Sequence, residues 1–287
     1  MKTSKEFYNV CKVKEGIYHI GSTEGVFMDL FVGSHQALLW DTGYGFGNLR
    51  YTVEALTDKP LIVVNSHGHL DHSCGNFQFS DCPVYMHSKD KQSYEYFNSE
   101  SVRRGNVERG KNTKDALPSD FDEEYYIHAQ IKQILPIKED DQFDLGGITL
   151  TVKEVPGHTA GSIGLIYEEE QWFYAGDAMN PFVWLFLPDA LSLSVYLKTL
   201  EKAKTFNCNQ LCISHHPKPL DYTILDSFIR CAKELDYASG IPFENTLFPQ
   251  YKARICSLKG ADRTLIGQPE CPAIVISEDR LQEKNYD

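Results

Sequence analysis

The sequence predicts a mixed α+β fold. Three observations carry that prediction: short apolar or alternating runs bounded by turn residues, a few amphipathic stretches with capping residues, and the lack of any internal repeat or low-complexity linker along the 287 residues. The length suits one large domain or two small ones, and the unbroken composition favours a single domain over residues 1–287.

The elements follow in order. Gly16 to Ile20 and Gly25 to Val32 read as strands, and Ala37 to Trp40 is an apolar strand that stops at the turn Asp41-Thr42-Gly43. Asn48 caps a helix with Leu49, Val53 and Leu56 on one face, and Leu61 to Val64 is a buried strand after Pro60. Pro83 to His87 is another short strand. From about 88 to 130 the chain turns polar and aromatic, which predicts a helical insertion or lid. Ile148 to Val152 alternates, and Ser162–Tyr167 with Trp172–Ala175 flank the acidic turn at Glu168 to form a hairpin. Ser192 caps a helix carrying Leu193, Leu197 and Leu200. Leu211 to Ser214 is a strand, and Ile224 to Leu235 an amphipathic helix. The stretch 241–287 reads as a C-terminal extension of loops and edge strands.

Composition excludes several function classes. Hydrophobic residues make up 42% and charged residues 24%, ordinary for a globular protein. The net charge of −12 disfavours nucleic acid, because phosphate-backbone binding draws on clustered Lys and Arg. The densest basic stretch, Arg103 to Lys114, is interrupted by Glu108 and reads as a solvated face. No apolar run is long enough to span a membrane, and Met1 to Val10 lacks the apolar core of a signal peptide, so a cytoplasmic location is expected. The eight cysteines form no Cys-x-x-Cys pair and are expected to be free thiols.

One run carries chemistry. His67-Gly68-His69-Leu70-Asp71-His72 places three imidazoles and a carboxylate within six residues, directly after a buried strand. Those donors suit zinc, whose catalytic sites keep a position open for water. His67 and His69 can converge on one metal, and Asp71 and His72 can turn to a second. Gly68 relieves crowding where the loop approaches the ions.

Downstream, His158 stands in Pro156-Gly157-His158, Asp177 in Ala175-Gly176-Asp177, and two histidines in Ser214-His215-His216-Pro217. Over roughly residues 16–217 this order resembles the metallo-β-lactamase superfamily, with its His-x-His-x-Asp-His run followed by Gly-His, Gly-Asp and a last His after a strand. The resemblance implies a four-layer αββα sandwich with two mainly antiparallel sheets and the metal site at one edge. It implies that His67, His69 and His158 bind a first metal, that Asp71, His72 and His216 bind a second, and that Asp177 bridges them. Motif alignment favours His216, with His215 the alternative. Asp41 matches a family position that supports the metal loop from behind the ligands, a plain turn residue being the other reading. Cys74 replaces the family's usual small residue and is expected to pack.

The resemblance further implies a cofactor of two Zn2+ per chain, with Fe or Mn as alternatives, and hydrolysis of a small-molecule ester, thioester or lactone by metal-activated hydroxide. Asp71 or Asp177 would carry the water proton to the leaving group. The bridging Asp177 is similar to the glyoxalase II and lactonase types rather than to secreted β-lactamases. The segment after it, Ala178 to Phe182, lacks the Tyr expected of acyl-homoserine lactonases. β-Lactam hydrolysis, a non-catalytic metal-binding scaffold and an iron-dependent oxygenase or reductase are the alternatives. The aromatic run Phe182 to Leu187 is expected to line a substrate pocket, or else to form a homodimer contact.

Overall fold

The computed structural model describes residues 2–130, 132–245 and 247–282, so the last five residues of the expected C-terminal extension lie outside it. Within that range the chain packs as two compact units. The first comprises Met1–Val152, Tyr167–Glu170 and Ser214–Pro217; the second comprises Lys153–Ile166, Gln171–Ile213 and Lys218–Asp287. The sequence leads one to expect a single domain, whereas these two units draw on alternating segments of the chain.

The first unit contains β1 (Asn9–Lys14), β2 (Ile17–Gly21), β3 (Phe27–Val32), β4 (Ala37–Trp40), α1 (Leu49–Glu54), β5 (Leu61–Val64), α2 (Leu70–Ser73), β6 (Val84–His87), α3 (Lys91–Phe97), α4 (Glu100–Lys111), α5 (Glu123–Ile127), β7 (Leu135–Ile137) and β8 (Gln142–Asp144). Strand β9 (Thr149–Glu154) pairs antiparallel with β8, and the unit boundary falls inside it. Strands β1 to β7 form one sheet in sequence order. Its first four strands pair antiparallel and its last four parallel, so this sheet is mixed rather than mainly antiparallel. The reason lies in the connections: a tight turn reverses the chain, whereas the helix-bearing segments after β4, β5 and β6 are long enough to cross over. β1 has no apolar pattern because most of it is exposed at the sheet edge.

Every residue of β4 and most of β5 are buried, as expected of strands covered on both faces. Ile20, Met28, Leu30, Leu39, Val63 and Val84 join Phe46, Leu49 and Val53 in the core of this unit. Asn48 caps α1 through its side chain, which accepts from Tyr51 N at 2.9 Å. The 88–130 segment is helical, and Val107, Tyr126 and Ile127 belong to the same core, so it is packed structure rather than a flap. Arg103, expected on a solvated face, is only 1% exposed.

The second unit contains β10 (Ile163–Tyr167), β11 (Trp172–Tyr174), β12 (Phe182–Leu185), α6 (Leu193–Ala203), β13 (Gln210–Cys212), β14 (Leu220–Asp221), α7 (Leu225–Lys233), β15 (Ile241–Phe243), β16 (Ala253–Ser257) and β17 (Ala273–Ile276). Strands β14, β13, β11 and β10 are hydrogen-bonded in that order, and β12, β17, β16 and β15 form a separate sheet. Leu185, Leu200, Leu211, Phe228, Ile274 and Ile276 share one core. The C-terminal stretch is therefore more than edge strands: β17 is fully buried and central, pairing with β16 on one side and in parallel with β12 on the other. Local sequence conceals this because its partner lies some ninety residues earlier. β12 alternates, with Val183 and Leu185 in the core and Phe182 and Trp184 partly exposed. All eight cysteines are free thiols.

Candidate functional site

In the first unit, the chain leaves β5 at Val64 and passes through Asn65 and Ser66 into the histidine run, which ends in the single turn of α2. His67, His69 and His72 are all buried. The ring centroids of His67 and His69 lie 4.6 Å apart and those of His67 and His72 4.1 Å apart. The segment after β13 returns to this unit through Phe27 N, which donates to Ser214 O at 2.8 Å. It brings His215, not His216, to the cluster: His215 Nε2 is 3.4 Å from Asp71 Oδ2, and His72 Nε2 is 3.6 Å from the same oxygen. Asp71, His72 and His215 each offer a ligand atom within 4.8 Å of one another. His216 instead meets His19 through its backbone. The alignment that favoured His216 could not resolve this, because adjacent residues leaving a strand point to opposite sides.

Asp41 holds the run from behind. Its Oδ1 accepts from Ser66 N at 2.7 Å, and its Oδ2 accepts from Ser66 Oγ at 2.8 Å and meets His72 Nδ1 at 2.9 Å. With Nδ1 turned to the Asp41 carboxylate, His72 presents Nε2 to the side of Asp71, 3.6 Å away, the kind of backing that orients a metal-binding imidazole. Asp41 is wholly buried and has a left-handed backbone (φ 64°), which Asp tolerates better than most residues. Burial pushes the Asp71 carboxyl up, but the positive potential of His72 and His215 outweighs it and holds Asp71 well below the usual carboxylate range.

A buried polar network fixes the far end of the run. Asn65 Nδ2 donates to His72 O at 3.0 Å, Thr42 N to the same carbonyl at 2.8 Å, and Asn76 Nδ2 to Asn65 Oδ1 at 2.8 Å. Asp90 Oδ2 accepts from Gly68 N at 2.9 Å. A side chain at Gly68 would meet Tyr94 N at 2.7 Å and Asp90 O at 3.0 Å, so α3 and the turn before it already demand a glycine here. Asn98 Nδ2 donates to Ser73 Oγ at 3.0 Å. Arg103 donates to Asn98 O, Asn98 Oδ1, Tyr126 O and Cys74 O at 3.0, 3.0, 2.9 and 3.4 Å. Cys74 packs here as expected, burial pushing its thiol up to about 11. Nearby, Arg109 holds Glu24 in a two-pronged pair at 2.8 and 2.9 Å, and Glu24 feels the charge of Asp71.

The second unit holds the remaining two positions together. His158 follows Gly157 in the loop after β9, and Asp177 follows Gly176 in the loop after β11. His158 Nε2 lies 3.9 Å from Asp177 Oδ2, while its Nδ1 donates to Trp184 O on β12 at 2.9 Å. That bond again fixes a tautomer with Nε2 as the available donor atom. Thr159 and Ser162 close the loop, with Thr159 N donating to Ser162 Oγ at 3.1 Å. In both units the donors are imidazole nitrogens and carboxylate oxygens, buried or half-buried, which is the chemistry that fits zinc.

The Asp90, Asn98 and Arg103 contacts escaped sequence reading. Each is one polar residue in a polar stretch, and only its distant partner distinguishes it.

Comparison with known proteins places the chain in a family. A family model described as the metallo-beta-lactamase superfamily matches residues 27–215. The "Acyl-coenzyme A thioesterase MBLAC2" of Homo sapiens is 27% identical over 179 residues, covering 58% of this chain and 62% of that protein. The chain thus spans under two thirds of that relative's length. Among solved structures, a metallo-beta-lactamase family protein from Thermus thermophilus superposes with a TM-score of 0.54 at 19% identity, covering 78% of this chain and 79% of that one. The sec-alkylsulfatase Pisa1 from Pseudomonas sp. gives 0.58 at 14% identity over 80% of this chain and 42% of that one. At such identities these structures speak to the fold alone. No helix among the described residues is long and apolar enough to cross a membrane.

Proposed function

The chain belongs to the metallo-beta-lactamase superfamily, and from that premise we propose that it is a zinc-dependent hydrolase of acyl thioesters. The observation that carries the reading is the cluster of buried His67, His69 and His72 with partly exposed Asp71 and His215, backed by Asp41. The thioester class is supported by the name of the human relative, and esters and lactones fall within the same chemistry.

The ligand assignment implied by the family is kept with one change. By the family pattern His67, His69 and His158 would hold one metal, Asp71, His72 and His215 the other, and Asp177 would serve both. Bound zinc supplies a water acidified toward neutrality and an electrophile for the thioester carbonyl. The chain's own groups do the rest. Asp41 Oδ2 and Trp184 O keep His72 and His158 in the tautomer that presents Nε2. Asp71, whose carboxyl is held ionised, or Asp177 takes the proton from water and returns it to the departing sulfur. Water thus adds across the C–S bond, giving a carboxylic acid and a thiol.

The test is thiol release from acyl-coenzyme A by metal-loaded protein, beside a panel of esters and lactones. Turnover is expected to be abolished by chelation and to fall at least about a hundredfold in His69→Ala and Asp177→Ala. A metal-loaded protein inert across the panel overturns the reading.

A further inference from the structure

The second unit contains a cavity of about 550 Å³ that the metal chemistry leaves unused. Its volume falls in the range of small-molecule sites. It is built on the β15–β16 hairpin, where Phe243 pairs with Ala253 and Pro242 with Arg254. Tyr237, Phe243 and Tyr251 give it aromatic walls, while Lys252 and Arg254 bring two cations, against Glu244 as the one acid. In a chain of net charge −12 this is a local reversal of sign. Arg254 lies over the Tyr237 ring at 5.6 Å and donates Nε to Gly240 O at 3.0 Å, which leaves its two terminal nitrogens for a ligand.

The cavity also communicates with the candidate site inside the same unit. Phe243 packs its ring against Trp184 at 5.6 Å and Phe186 at 5.6 Å. The Trp184 carbonyl is the group that holds His158 Nδ1. An aromatic wall therefore runs from the cavity to a proposed metal ligand.

We propose that this cavity binds an adenine nucleotide group, with the base on the aromatic rings of Tyr237, Phe243 and Tyr251 and phosphate on Lys252 and Arg254. Bases stack on aromatic side chains, and Arg matches phosphate oxygens in geometry and charge. An acyl chain would offer no charge partner to Lys252 or Arg254. Resting on the thioester reading, the nucleotide is the carrier end of a coenzyme A thioester, and the aromatic wall leads its arm toward His158.

The experiment titrates adenosine 3′,5′-bisphosphate into the full chain by calorimetry, and compares kcat/KM for an acyl-coenzyme A with that for the matching acyl-pantetheine. Saturable binding at one per chain is expected, weakened roughly tenfold or more in Lys252→Glu and in Arg254→Met. The acyl-coenzyme A is expected to have a KM at least about tenfold lower than the acyl-pantetheine. Absence of binding at about 1 mM nucleotide, or binding undiminished in both variants, overturns the proposal. Lys252 is exposed, so its substitution reads binding without a folding defect. Equal KM values with intact nucleotide binding overturn the carrier-end assignment and mark a free nucleotide as the ligand. Nucleotide binding with the expected variant losses, but no turnover of either thioester, upholds the cavity and overturns the thioester reading alone.

Discussion

His72 Nδ1 lies 2.9 Å from Asp41 Oδ2, and both side chains are wholly buried. A residue in a left-handed turn after β4 thereby sets the ring orientation of one thirty-one positions later. Asp41→Asn keeps the shape and the tolerance for that backbone while removing the charge. Metal affinity is expected to fall roughly 10–100-fold, the usual cost of losing a carboxylate behind a ligating imidazole. Competition with a chromogenic chelator measures it; unchanged affinity would return Asp41 to the role of a turn residue.

His215 and His216 make contrasting partners, Asp71 for one and the His19 environment for the other. Elemental analysis of purified variants is expected to find one metal fewer per chain in His215→Ala and no loss in His216→Ala. The reverse pattern restores the assignment made by motif alignment.

A methyl group on Gly157 would meet Tyr196 Cδ2 at 2.8 Å. Gly157→Ala is therefore expected to displace the loop that carries His158, costing about 1–3 kcal/mol of stability and lowering metal content. Adding Tyr196→Leu is expected to restore part of both, as read by thermal unfolding and by metal analysis. A double variant no better than the single one sinks the steric account.

Burial would lower the His19 pKa, but the Asp29 carboxylate, 2.7 Å away, outweighs it and raises the pKa above 6.5. A folded-state pKa above the unfolded value gives stability that is fully present below the unfolded pKa and lost as pH rises through the folded one. Asp29→Asn removes the cause of the raise. Its destabilisation is expected to be larger at pH 5.5 than at pH 8.5, and melting curves at the two pH values check this. A loss of equal size at both contradicts it.

Arg103 has four hydrogen bonds to groups on three segments of the first unit and almost no exposure. Arg103→Met fills much of the volume but leaves the carbonyls of Asn98, Tyr126 and Cys74 without their donor. The expected cost is roughly 1–3 kcal/mol for each group left buried and unpaired, seen in the urea midpoint. A midpoint shifted by less than about 1 kcal/mol would mean that water replaces the guanidinium.

The histidine run and its downstream partners were legible because metal chemistry needs few residue types at short spacing, and each motif sits at a strand end. Asp71 and His72 could be paired on paper; the choice between His215 and His216 could not, since a single residue decides which side of the chain faces the cluster. Arg103 shows the opposite limit. In sequence it belongs to a basic run interrupted by Glu108, and nothing nearby announces that it is buried while Arg104 stays exposed enough to pair with Glu100. β17 was legible as a strand but not as a central one, because pairing with β12 is a long-range fact that local apolar pattern does not encode.

The parallel pairing of β12 with β17 has a consequence for biosynthesis. Trp184, whose carbonyl orients His158, sits opposite Val275 in that pairing. A ribosome-bound chain that has emerged only through residue 217 already contains every histidine of the site, yet its β12 still presents an open edge. Metal capture at His158 is thus expected to wait on the last strand, and a nascent chain stalled before Ala273 should expose Phe182 and Trp184 to chaperones.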